Sequence, residues 1–229
     1  MVSDLFIPRR DIIVPKMPSY VKLAMAFPIG AGAQLMDKSR YRSHGTISGA
    51  TWATGAHGRC LDFDAAAKDY VEIAAAYDQL DFTSEKFSLV MRVYIESYPS
   101  HVLLVNRGEM NVDGWRVFIL SNGEFFIETD QLGENQQTHS ATGSIATATW
   151  YTLGCSRDGS ASHVYIDGVV DDDHLESHVD PLTSARTLKI GINEPKTGFP
   201  LDGKIEFLRI FGGIALSASE HLAWHNALA

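Results

Sequence analysis

Short runs in which β-branched and aromatic residues alternate with polar ones, each closed by turn residues, recur along most of the chain. They read LDFDAAAKDYVEI, FSLVMRVYI, WRVFIL, EFFIET, WYTLGCSRDGSASHVYIDG, LKIGI and KIEFLRIF. A period of two is how a half-buried antiparallel strand reads, so the chain is predicted to be mostly sheet. Turn signals at residues 111–114, 121–123, 157–160 and 166–168 carry the Asn-Gly and Asp-Gly pairs that suit tight hairpins, which predicts a meandering antiparallel sheet. From Ala24 to Gly58 the text is rich in Gly, Ser and Thr and predicts turns and loops. One helix is expected, in ALSASEHLAWHNALA at the end. There Ser217 or Ser219 can cap, Glu220 falls in the first turn, and Leu222 with Leu228 would face the sheet.

Residues 1–21 break this pattern. Two apolar clusters, Leu5, Phe6, Ile7 and Ile12, Ile13, Val14, are separated by Pro8, Arg9, Arg10 and Asp11 and followed by Pro15 and Pro18. Prolines at that density exclude a helix and predict an extended arm. Ordering about 20 residues costs on the order of 20–40 kcal/mol of backbone entropy, so an arm that is ordered must be held by contacts. It either folds back over its own domain to cover an edge or reaches a neighbouring subunit as an added strand. The same prolines and charges leave no uninterrupted apolar stretch of the kind a secretory signal needs, and no run approaches the length of a membrane span.

Composition narrows the partners. The chain has 229 residues, is 45% hydrophobic and carries a formal charge of -9, with a pI near 5.4. One domain is expected at this length, able to bury a core without a metal or disulfide scaffold. The acidic balance argues against nucleic acid, whose binding relies on clustered Lys and Arg. Only Cys60 and Cys155 are present, each inside a strand phrase, and two buried apolar thiols are expected rather than a bridge.

Taken in order, GTISGATW, GRCLDFD, KDYVEI, FSLVMRVYI, WYTLGCSRDG, VYIDG, LKIGI, LDGKIEFLRIF and ALSASEHL resemble the laminin G-like, concanavalin A-like lectin and glucanase superfamily over roughly residues 23–225. The resemblance implies an all-β fold, a two-sheet antiparallel jelly-roll sandwich over residues 22–229, here with the arm of residues 1–21 before it and the short helix at its end. Two positions depart from the family's habit: Glu206 stands where many relatives have Asp, and Ala65 where many have Gly.

Candidate chemistry is sparse. Glu128, Asp130 and Glu134 begin like a glucanase acid and nucleophile arrangement, since same-face carboxylates on a strand are neighbours. In IETDQLGE, however, the second Glu lies four residues beyond the Asp and across Gly133, which turns it out of the strand. The expectation is a solvated strand end and no catalysis. His174 and His178 have the spacing of two ligands on one helix face, but the strand-rich surroundings and Asp171, Asp172 and Asp173 predict a solvated loop. Calcium is better motivated. Some relatives, the pentraxins among them, bind it in the loop after the phrase resembling LKIGI, which here begins Asn193, Glu194, Pro195. That resemblance makes Asn193 and Glu194 the candidate metal ligands, although hard-cation sites use six or more oxygens and this loop offers one carboxylate. Glycan binding asks for aromatic rings beside hydrogen-bonding groups, and Asn111, Asp113 and Trp115 form the nearest such group, with Tyr98 and Phe199 on other loops. Trp115 opens a strand, so core packing competes for it, as it does for Trp52 and Trp150. No phosphate-cradling Gly loop, nucleophile elbow or Cys and His dyad is present.

These readings define two functions. The first is a non-catalytic structural protein, a subunit of a larger assembly and a homo-oligomer, with no cofactor required. It sits by analogy on a virion surface as a decoration or tail-associated protein, and its arm residues Leu5, Phe6, Ile7, Ile12, Ile13 and Val14 bury against a neighbour. The alternative is an extracellular carbohydrate-binding lectin module that takes surface glycans, with calcium as the ion it would use.

Overall fold

A computed structural model describes residues 17–27 and 31–228. The arm residues Leu5, Phe6, Ile7, Ile12, Ile13 and Val14 lie outside the described residues. The first strands are β1 (Val21–Met25), β2 (Gln34–Leu35), β3 (Gly45–Ser48), β4 (Thr51–Thr54), β5 (Arg59–Phe63) and β6 (Tyr70–Ile73). The middle of the chain supplies β7 (Phe87–Ser97), β8 (Val102–Glu109), β9 (Asp113–Ile119), β10 (Phe125–Gln131) and β11 (Glu134–His139). Then follow β12 (Trp150–Asp158), β13 (Ala161–Ile166), β14 (Val169–Val170), β15 (His174–Leu175), β16 (Leu188–Ile190), β17 (Asp202–Gly212) and the helix α1 (Ala218–Leu228).

These strands form two antiparallel sheets. One runs β14-β13-β12-β7-β17-β5-β4, with β1 also paired to β17. The other runs β15-β11-β10-β9-β8-β16-β6-β3-β2. The expected hairpins form where the turn residues stand: Asn111 and Asp167 adopt positive φ, and Gly159 and Gly168 do so too. The expected meander runs in both sheets of the sandwich, with β8 to β11 consecutive in the nine-stranded sheet and β12 to β14 in the other. A strand as long and apolar as β7 belongs at the centre of a sheet, and it pairs there with β12 and β17.

Alternation along each strand decides what is core. On β7 Leu89, Met91, Val93 and Ile95 point inward, and on β10 Phe125 and Ile127 do the same, meeting Trp115 and Val117 of β9. Cys155 joins this core and Cys60 is buried on β5; both are free thiols. Burial pushes Cys60 up to about 11, with Asp62 adding to it, and Cys155 up to about 12.

Two boundaries differ from expectation. Val21, placed in the arm, opens β1 and pairs with Phe211, so the sandwich begins before residue 22. The helix is capped by Ser217, whose N–H and hydroxyl both donate to Glu220 at 2.8 Å, and Leu228 packs against the Phe211 cluster as expected, but the first turns face the sheet differently. Leu222 is 43% exposed and His221 is buried, its ring stacked on Tyr165 with centroids 3.8 Å apart. The helix can sit that close because residue 154 is glycine: a Cβ there would meet the His221 ring at 2.4 Å.

Candidate functional site

Pairing register lines up two rows of side chains across the outer face of the nine-stranded sheet. Leu103, Phe118, Phe126, His139 and His174 are successive cross-strand partners on β8, β9, β10, β11 and β15. Their rings stack, with centroid separations of 4.7, 4.3 and 5.0 Å from Phe118 to His174. Beside this aromatic row runs a polar one: Glu72, Lys189, Asn106, Arg116, Glu128 and Gln137 are likewise partners in sequence. Neither row stands out in the linear text, because its members come from different strands at irregular spacing.

The charged members of the polar row are engaged with one another and with their neighbours. Arg116 Nη2 donates to Glu128 Oε1 and its Nε to Asp130 Oδ2 at 3.2 Å. Both carboxylates are 0% exposed, so the expected solvated strand end is instead a buried ion cluster. Gln137 donates to Glu128 at 2.6 Å, and the Asn111 N–H to Asp130 Oδ1 at 2.8 Å. Burial, then the charge of Glu128, pushes the Asp130 carboxyl up to about 8. Lys189 donates to Glu194 and Thr187. Asn106 donates to the Ile192 carbonyl at 2.6 Å, and its buried Oδ1 has no partner among the described residues.

A pocket of about 200 Å³ opens where the polar row reaches the tip of the β8–β9 hairpin. Gly108 and Arg116 form its floor, Glu109 and Met110 one wall, and Asn193, Glu194, Pro195 and Phe199 the other. Gly108 has φ +149°, and a Cβ there would meet the Asp113 carbonyl at 2.1 Å, so only glycine lets the two strands of the hairpin approach this closely beside the pocket. Asn193 shapes the far wall by accepting N–H bonds from Thr197 and Gly198 at 3.1 and 2.9 Å.

This geometry reunites residues that the sequence placed in separate groups. Arg186 pairs with Glu109 at 2.6 Å, Asp113 at 3.2 Å and Glu194 at 3.9 Å, which ties the Asp113 hairpin to the Asn193 and Glu194 loop. Asn111 is exposed on the same hairpin. Trp115 is not part of this rim. It is fully buried in the core, its indole N–H donating to the Leu80 carbonyl at 3.0 Å, so it offers no face to a ligand. The alternation of β9 turns Trp115 inward and Arg116 outward.

The remaining candidates are apart from the pocket. His174 is exposed on β15, whereas His178 is buried between the hydroxyls of Thr129 and Thr138 at 2.9 and 3.0 Å, and burial lowers it to about 4. Asp171 accepts from Ser144, Asp172 from Val164 N–H, and Glu134 is exposed beyond the Gly133 turn. Among the described residues no group of three or more His, Cys, Asp or Glu is placed to hold a metal ion.

Comparison with known proteins agrees with this architecture. The sequence pattern of the concanavalin A-like lectin/glucanases superfamily matches residues 65–220. The chain belongs to that superfamily. No protein of curated function matches it by sequence. Among solved structures, this lectin-like chain resembles the binding domain of botulinum neurotoxin serotype G at 17% identity and TM-score 0.67, covering 91% of this chain and 51% of that one. It resembles the binding domain of Paraclostridial Mosquitocidal Protein 1 at 12% identity and TM-score 0.71, covering 91% and 52%. Domain 4 of AbnA, an extracellular arabinanase from Geobacillus stearothermophilus solved with arabinotriose, matches at 18% identity and TM-score 0.65, covering 89% and 97%. The superfamily chain thus spans about half the length of the toxin binding domains and nearly all of the arabinanase domain.

Proposed function

We propose that the chain is a non-catalytic carbohydrate-recognition module that holds a sugar in the pocket between the β8–β9 hairpin and the 193–199 loop. The observation that carries this is the lining itself: Met110, Pro195 and Phe199 supply apolar wall, while Arg116, Asn193, Glu109 and Glu194 supply hydrogen-bonding groups. Sugars need that combination, since their C–H faces pack on apolar surface and their hydroxyls need directed partners. The volume lies below the 300 Å³ or so at which drug-sized pockets begin, a size suited to one sugar unit. The arabinanase domain solved with arabinotriose and the toxin binding domain solved with SialylT support the reading as related folds that take glycans. Catalysis is disfavoured because Glu128 and Asp130, the carboxylates on this face of β10, are both committed to Arg116.

Calcium is not required in this reading. The rim carboxylates Glu109, Asp113 and Glu194 converge on the Arg186 guanidinium, which supplies the positive charge a cation would bring. A glycan panel read by titration calorimetry tests both points. Saturable binding that survives a chelator and weakens at least tenfold in Asn193→Ala is expected. Silence across the panel would remove the proposal, and loss of binding on chelation would restore calcium to the rim.

The assembly reading stands second. Met17 and Val21 pack with Phe211 and Leu216, and a related toxin binding domain is solved with rat synaptotagmin II, a protein partner. A homo-oligomeric virion-surface subunit would use residues 1–16 on a neighbour. Light scattering of the full chain tests this, with a defined oligomer expected if the reading holds and a monomer if it does not.

A further inference from the structure

The charges around the pocket do not balance. Arg116, Arg186, Lys189 and Lys196 are linked by ion pairs to Glu72, Glu109, Asp113, Glu128, Asp130 and Glu194. Six carboxylates therefore share four cations. Two of the carboxylates, Glu128 and Asp130, lie fully buried beneath the floor on a single guanidinium. Burial beside a second carboxylate disfavours the charged form of Asp130. Among the described residues, Arg116, Arg186, Lys189 and Lys196 are each already paired, leaving none of these four to meet an incoming anion.

We propose that the pocket selects uncharged sugars and rejects acidic ones, and that the protonation of Asp130, buried beside Glu128 on one guanidinium, sets how strongly the rejection grows with pH. This rests on the reading of the pocket as a sugar site. With the proton in place the floor cluster is neutral, and the excess charge comes from the walls. When the proton leaves, the floor gains a negative charge directly below the ligand.

The groups that face Asp130 all bear on that proton. On its own strand there is Glu128, on β9 Arg116, and from the hairpin the Asn111 N–H with Asp113 and Glu109 beyond it. On β11 its partner is the uncharged Asn135, with Glu134 next along. The segment whose Leu182 N–H bonds the Asp130 carbonyl brings Asp180 and Arg186, and Arg186 is held by Glu109 and Asp113. Among the described residues Arg116 alone is a cation in contact with the Asp130 carboxyl. Burial and the neighbouring Glu128 charge push that carboxyl up to about 8, which puts the release of the proton just above neutrality.

The test uses the strongest neutral oligosaccharide from the glycan panel, its C6-oxidised uronate and the matching uronamide, which has the shape of the uronate without the charge. Calorimetry from pH 6 to pH 9 should find the uronate about tenfold weaker than the uronamide at pH 6, as one unit of like charge across several ångströms produces. The gap should widen severalfold by pH 9. In Asp130→Asn the gap should stay constant with pH, and Glu128→Gln should behave likewise if the first variant does not fold. Equal binding of uronate and uronamide, or a wild-type gap that does not move with pH, overturns the proposal and leaves the sugar site standing. A panel on which no sugar binds overturns both.

Discussion

Asp130 titrates against two opposed influences: burial and Glu128 disfavour its charge, while Arg116 and the Asn111 N–H favour it. The first pair wins, so the folded chain holds a proton that the unfolded chain releases near pH 3.9. Between about pH 4 and about pH 8 the folded state binds more protons than the unfolded one, and this group's linkage makes stability fall as pH rises through that interval. The slope from one such group is at most about 1.4 kcal/mol per pH unit. Asp130→Asn, which keeps the shape without the charge, should match the wild type near pH 4 and exceed it at pH 8 in urea denaturation. A variant less stable than the wild type at pH 8 would mean that the ionised carboxylate is what the fold uses. No ligand enters this measurement, so it stands apart from any sugar binding.

The C-terminal helix is attached to the sheet through a histidine. His221 stacks on Tyr165, pairs with Ser156 Oγ at 2.9 Å and is lowered to about 4 by burial. His178, in the segment bridging the edge of the nine-stranded sheet, is lowered to about 4 by burial as well. Both must be neutral in the folded state, so their contribution is intact above the unfolded value near 6.5 and is lost as pH falls from there towards 4. Amide protection factors across α1, which correct for the slower intrinsic exchange at low pH, should fall at pH 5 relative to pH 7, and His221→Gln should reduce that difference. Gly154→Ala should release α1 at neutral pH, with a loss of roughly 1–3 kcal/mol for the overpacked contact. Slow exchange in α1 in that variant would show that the helix is held elsewhere.

That attachment also marks what the sequence could reveal. The strand phrases, the hairpin turns and the helix with its Ser217 start were legible because each is a local pattern. The side of the helix that docks was not, because it depends on Gly154 and Tyr165, far away on β12 and β13. The site was partly legible in the same way. Asn111, Asp113, Asn193 and Glu194 gather at one end of the sheet, but what joins the Asp113 and Glu194 loops is Arg186, an unremarkable residue in a loop. Trp115 packs in the core, the role its place at the opening of a strand favoured over a ligand contact, and one step of alternation makes its neighbour Arg116 the residue that reaches the pocket. Glu128 and Asp130 read as solvated because the partner that buries them stands on another strand.

At the scale of the whole molecule the two sheets are dressed differently. The outer face of the eight-stranded sheet is covered in part by α1, through Trp224 against Phe207 and Phe211, and β1 extends that sheet along β17. The outer face of the nine-stranded sheet carries the aromatic row, the polar row and the pocket. Among the described residues, inward-facing side chains from both sheets form the main core, and Val21, Ala24, Val90, Phe211 and Leu216 form a small cluster beside it. A chain starting at Met17 should therefore fold, with Tm within about 4 °C of the full chain, the shift that about 1 kcal/mol produces at this size, and with the same sugar affinity. Its mass in solution then separates the two roles of the arm. A drop from oligomer to monomer with unchanged Tm would make residues 1–16 an assembly device acting on a neighbour. An unchanged monomeric mass with a Tm lowered by more than that margin would mean that they cover their own sandwich, and the virion-subunit reading would lose its support.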